Sequence, residues 1–227
     1  MNFMLWTWST TVAVCLSLGC GNVKHLDVDA ATPSDSRTAM EVTLSQTNSS
    51  SVTSGVGCRT TTTNYTKENN FYRGFKLADY GVTGGFKVKK VTFGVFSAIS
   101  GGIPVKTQPA ELSIFAYSGA VGADTIDLSK LTKQGGAMIQ VPDATAPTTI
   151  DVPIDAELPA GTDGLVVQFH VSDGTAAMHQ LMLGANQQGE RLPAYQLAPL
   201  CGQTNPVAFP AAGLSIYALV LSVTGDG

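Results

Sequence analysis

From Ser50 onward the chain is a succession of short apolar runs broken every 8 to 14 residues by Gly, Pro, Asn or Asp. That spacing fits strands joined by turns, and no helix is predicted. The clearest strands are predicted over 70–77, 86–96, 111–117, 136–141, 148–154, 164–171, 178–183 and 213–223. Within the second, Phe86 and Val88 alternate with Lys87 and Lys89. Val91, Phe93 and Val95 then continue after a change of phase at Lys90. A β-bulge at that point reconciles the two halves, because one extra residue restores the apolar side chains to a single face. Eight to ten strands at this spacing predict an all-β chain, an antiparallel β-sandwich of jelly-roll type.

The first fifty residues have a different composition. An apolar and hydroxyl-rich run from Met4 to Leu18 is too short to span a bilayer as a permanent helix, and it fits the core of a cleaved signal peptide. It ends in CLSLGCGN, where Gly19-Cys20 resembles the lipobox of bacterial lipoproteins. The resemblance implies cleavage before Cys20 and a diacylglycerol on its sulfur. Residues 1–19 then form the signal peptide and 20–49 a lipid-anchored flexible tether of small and polar residues. The sandwich is placed at 50–227. A short strand around Glu41 to Ser45 is the one exception allowed inside the tether.

Cysteine usage follows from that division. Cys15 leaves with the signal and Cys20 carries lipid, so Cys58 and Cys201 remain for each other. In an oxidising compartment they form a disulfide, with two buried free thiols as the alternative. Loop-closure entropy puts the upper limit of its contribution at about 5 kcal/mol.

The string NNFYRGFKLADYGVTGGFKVKKVTFGV, with Cys58 upstream and PLCG near the end, resembles the jelly-roll accessory domains of secreted bacterial proteins. The resemblance covers about residues 50–225. It implies a sandwich with its ends close together and carries over no catalytic residue.

Charge and motifs narrow the function classes. A net charge of -4 from 13 basic and 17 acidic residues offers no basic stripe for a phosphate backbone, so nucleic acid is not an expected partner. No H-E-x-x-H, G-x-S-x-G or phosphate-cradling glycine loop occurs, and the chain is read as non-enzymatic with no cofactor. His170 and His179 are placed opposite each other across a tight turn at Gly174. Two imidazoles fall short of the three or four ligands zinc takes, so no metal is expected there. Asp124, Asp127, Asp143 and Asp173 fall in turns, where structural use outweighs calcium binding. Both tryptophans, Trp6 and Trp8, lie in the signal segment. Any sugar platform must therefore use tyrosines, with Tyr65, Tyr72, Tyr117 and Tyr195 as candidates. The expected function is surface binding, adhesion or envelope assembly, with a carbohydrate-binding module as the alternative. The expected location is the outer membrane or cell surface of a bacterial envelope, held through the lipid anchor, with envelope proteins or surface glycans as partners.

Overall fold

The computed structural model of the protein describes residues 40–101 and 106–227. Cys20, the expected signal peptide at 1–19 and most of the expected tether at 20–49 lie outside them. Among the described residues there is no α-helix, and no helix is long and apolar enough to cross a membrane. In chain order the strands are β1 (Glu41–Ser45), β2 (Ser54–Val56), β3 (Asn69–Lys76), β4 (Phe86–Ile99), β5 (Thr107–Tyr117) and β6 (Leu131–Pro142). They continue as β7 (Thr148–Leu158), β8 (Gly164–Val171), β9 (Gln180–Asn186), β10 (Ala194–Ala198), β11 (Gln203–Ala208), β12 (Ala218–Leu219) and β13 (Leu221–Asp226).

These strands make two antiparallel sheets packed as a sandwich. The seven-stranded sheet runs β1-β13-β4-β9-β12, with β2 added on β9 and β7 on β4, and the six-stranded sheet runs β11-β10-β3-β8-β5-β6. From β3 onward, successive strands alternate between the sheets except at the β5–β6 and β10–β11 hairpins and at β12–β13, the habit of a rolled double sheet. Strand alternation builds the core directly. Phe71 and Phe75 of β3, Leu112 and Ile114 of β5, and Val167 and Phe169 of β8 face Val91 and Phe93 of β4, Leu183 of β9 and Val223 of β13. Phe93 and Phe169 meet across the interface with ring centroids 4.9 Å apart.

The phase change in β4 is a bulge at Lys89. Val88 pairs with Gly225 and Lys90 with Thr224, so Lys89 is skipped. Cys58 and Cys201 are bonded, their Cα atoms 6.0 Å apart across 143 residues of chain. The two ends of the sandwich lie side by side, since β1 pairs with β13 from Glu41↔Asp226 to Ser45↔Ser222. This moves the domain boundary. Residues 40–49 belong to the sandwich, with Leu44 fully buried and Gln46 donating from Nε2 to the Gly74 carbonyl.

The β8–β9 hairpin predicted around Gly174 does not form. Both edges of β8 are occupied, by β3 and β5, so β9 has no edge to join and crosses to the other sheet. The connection instead folds onto Thr66, whose carbonyl accepts from Gly174 N and whose amide donates to the His179 carbonyl.

A charged side chain sits inside the core. Arg73 occupies the inward position between Phe71 and Phe75 and is fully buried. Its guanidinium meets Glu190 at 2.7 Å and donates to the carbonyls of Leu192 and Leu219, tying the β9–β10 connection and β12 to β3. Burial pulls its pKa down and the Glu190 carboxylate opposes that shift.

Candidate functional site

The six-stranded sheet turns one face to the core and the other away from it. On the outer face, cross-strand register lines up Tyr195, Tyr72, Gln168, Ser113 and Gly136 in one row. The next row reads Leu197, Asn70, His170, Glu111 and Met138. These rows divide into a covered part and an open part.

The covered part is a second small core. Tyr72, Tyr117 and Tyr195 are 3%, 3% and 1% exposed and pack with Ile126, Val166 and Ala208. Their cover is the 118–130 connection between β5 and β6. It is held by a bond from Ala208 N to the Asp124 carbonyl and by an Asp127 side chain that accepts from Ser129. Val121 of this cover rests over Gly74 and Gly164, where a Cβ atom would lie 3.0 and 2.9 Å from its methyl groups. The phenol groups are used internally. Tyr195 donates to the Ala123 carbonyl at 2.8 Å, Tyr117 accepts from Asp127 N and Tyr72 accepts from Gln168 Nε2. Burial pushes the hydroxyls of Tyr72 and Tyr195 up to about 12, with Glu68 adding to the effect at Tyr72. The structure thus brings three of the four candidate tyrosines together, but as a packing cluster with no ring face open to a ligand. Tyr65 stands apart, half-buried in the 59–66 loop.

The open part is polar and ordered: Gln168, His170 and Glu111 are half-buried and Met138 is exposed, while Ser113 and Asn70 are buried among them. Asn70 accepts from Gln168 Nε2 at 2.7 Å, and Ser113 Oγ and Lys133 Nζ both donate to Glu111 Oε1, at 2.9 and 2.8 Å. These two bonds, led by Lys133, hold the Glu111 carboxyl below the usual carboxylate range. His170 Nε2 lies 3.4 Å from Glu68 Oε1 at the margin. Among the described residues, Asn70 Nδ2 and Gln168 Oε1 have no hydrogen-bond partner, although Asn70 is only 7% exposed.

The histidine pair is dissolved. His170 stands on β8 between Asn70 and Glu111, while His179 lies in the connection before β9, its backbone bonded to Gly174 and Thr66. No group of three His, Cys, Asp or Glu able to hold a metal occurs among the described residues. Asp127 and Asp173 cap local backbone at Ser129 and Thr175, Asp143 accepts from the distant Ser100 amide, and Asp124 contributes its carbonyl to β11.

Of the open strip, only His170 was among the residues expected from the sequence. Its other members carried a visible signal. Glu111 with Ser113, and Gln168 with His170, are polar residues two apart in otherwise apolar strands, which places each pair on one face.

No protein-family model matches this chain. No curated protein matches it. Among solved structures it is similar to the clostridial cysteine protease Cwp84 C116A after propeptide cleavage, at 12% identity over 82% of this chain and 40% of that one, with a TM-score of 0.47. It is also similar to the cysteine protease and lectin-like domains of Cwp84, a surface layer associated protein of Clostridium difficile. There the identity is 14% over 71% of this chain and 32% of that one, with a TM-score of 0.40. The chain spans less than half the length of either.

Proposed function

We propose that this protein is an exported, non-enzymatic binding module, tethered to a bacterial envelope membrane by a lipid on Cys20, which recognises an envelope component through the open half of its outer sheet face. The observation that carries the reading is the pre-ordered polar strip of Asn70, Gln168 and Glu111, braced by the buried Ser113 hydroxyl, with two amide atoms left for a ligand. Export is supported by the Cys58–Cys201 bond, a linkage that persists in oxidising compartments. The anchor rests on the Met4–Leu18 run and Gly19-Cys20. A non-enzymatic role is supported by how the polar groups are engaged. Ser113 Oγ is turned to Glu111 and His170 to Glu68, so hydroxyl and imidazole do not form a nucleophile–base pair.

Co-sedimentation of the purified domain with envelope fractions from the producing cell tests the binding role. Wild-type protein should sediment with them and a Gln168→Ala/Glu111→Ala variant should stay in solution. No sedimentation of the wild type, or equal sedimentation of both, removes the proposal. Mass spectrometry of the mature N-terminus tests the anchor separately: a free Cys20 thiol or an intact Met1 rules it out.

A further inference from the structure

We infer that the ligand of this strip is a neutral saccharide, an inference that rests on the binding-module reading above. The first ground is the state of Asn70. Its side chain is more than nine-tenths buried on the outer face, and the bond from Gln168 fixes its orientation. Its Nδ2 group still has no partner among the described residues, so its N–H donors are held in a fixed orientation at the surface. An amide kept in this state exchanges water for a ligand oxygen without the cost of ordering a free side chain.

The second ground is the mixture of hydrogen-bonding roles. Beside the Asn70 donor stands Gln168 Oε1, an acceptor, and one strand further lies Glu111, whose Oε1 is engaged by Ser113 and Lys133 while Oε2 remains. Fixed donors next to fixed acceptors suit hydroxyl groups, because a hydroxyl both gives and takes a hydrogen bond. Formal ions suit it less well. An anion would face Glu111 and Glu68, and a cation would have to compete with Lys133 for a carboxylate that is already paired.

The third ground is shape. The row from Asn70 through His170 and Glu111 to Met138 crosses β3, β8, β5 and β6, a width of about 14 Å at ordinary strand spacing. That accommodates a short oligosaccharide. A shallow cavity of about 160 Å³ beside His170 is lined by Glu111, Met138, Pro109 and Ser172. Met138 is 72% exposed there, and its flexible thioether supplies the apolar surface that the C–H face of a sugar ring covers. Of the aromatic rings expected to do this, Tyr72, Tyr117 and Tyr195 are enclosed under the 118–130 cover and Tyr65 stands apart from the strip.

The experiment compares envelope fractions treated with periodate, which cleaves vicinal diols, with fractions treated with protease. Binding should fall at least tenfold after periodate and survive protease. The reverse pattern overturns the saccharide while leaving a binding module. No binding to untreated envelopes removes the module itself. An array of neutral oligosaccharides of glucose, galactose, mannose and N-acetylglucosamine, with sulfated and uronate-containing glycans beside them, then identifies the class. Binding to at least one neutral member should drop tenfold or more in Gln168→Ala and in Met138→Ala, and persist in Tyr65→Ala. Binding confined to acidic glycans, no glycan bound, or equal binding by the strip variants overturns the inference.

Discussion

The outer face of the six-stranded sheet carries two surfaces built on the same strands. Along β3 it passes from Gly74 and Tyr72 to Asn70, along β8 from Val166 to Gln168 and His170, and along β5 from Tyr117 and Phe115 to Ser113 and Glu111. Tyr72, Tyr117 and Val166 are roofed by the 118–130 connection and behave as core, with Phe115 partly buried against them; Gln168, His170 and Glu111 lie beyond the roof and are half-buried, with Ser113 and Asn70 enclosed among them. The strands do not differ in kind between the halves. The difference comes from the reach of one connection, for which Gly74 and Gly164 leave room beneath Val121. Stability is therefore expected from the covered half and recognition from the open one.

The largest effect that would test this division is on the covered side. Tyr195→Ala removes a ring that is 1% exposed, together with its bond to the Ala123 carbonyl. Truncation of a buried aromatic should lower the unfolding free energy by about 3–5 kcal/mol. Urea unfolding measures it, and a loss under 1 kcal/mol would show that the roof is not a core.

Gly164→Ala sharpens the same point without removing any group. The added Cβ would lie 2.9 Å from a Val121 methyl and 3.0 Å from the Tyr117 carbonyl oxygen, so the cover has to lift or the strand has to shift. Overpacking of this kind costs about 1–3 kcal/mol. Hydrogen exchange should show the loosening first in 118–130, whereas uniform loosening of both sheets would mean that the cover is not a separate unit.

High pH separates the halves by titration. The buried hydroxyls of Tyr72 and Tyr195 sit at about 12, against an ordinary 10.0. Between those values the unfolded chain releases protons that the folded chain keeps. Their stabilising contribution is thus complete below pH 10 and is lost as pH rises through 12. Replacing both with Phe should flatten the fall in stability across that window, as followed by circular dichroism. An unchanged slope would place the alkaline sensitivity elsewhere.

Local elements of this fold were legible in the sequence to the extent that they depend on neighbours in the chain. The apolar alternation of GLVVQFHV marks β8 from Gly164 to Val171, and the phase change around Lys90 marks the Lys89 bulge. Strand neighbours were not legible. His170 and His179 read as a hairpin because Asp173 and Gly174 suit a tight turn, and nothing local reveals that β3 and β5 already occupy both edges of β8. The tyrosines misled for a related reason. Tyr72 and Tyr195 hold outward strand positions, and only the path of 118–130 makes those positions buried. Arg73 is a further case, because its partner Glu190 lies 117 residues away. The polar strip was legible in part, through i,i+2 polar pairs in β5 and β8. Its assembly into one surface required the register.

The smallest expected effect is on the open side. Glu111→Gln keeps the shape of the strip and removes the charge that Lys133 and Ser113 face. The ion pair is largely solvent-exposed, with side-chain exposures of 53% and 34%, so salt and water screen it. Such pairs are worth about 0–1 kcal/mol. The Glu111 pKa is held below its ordinary 4.5 in the folded protein, so whatever the pair contributes is present above that value and disappears as pH falls through the lower, folded one. Unfolding midpoints of wild type and Glu111→Gln should therefore differ slightly at pH 7 and converge in acid, while envelope binding by the variant falls at both high and low ionic strength. A destabilisation above about 2 kcal/mol, beyond what an exposed ion pair supplies, would make the open half part of the fold.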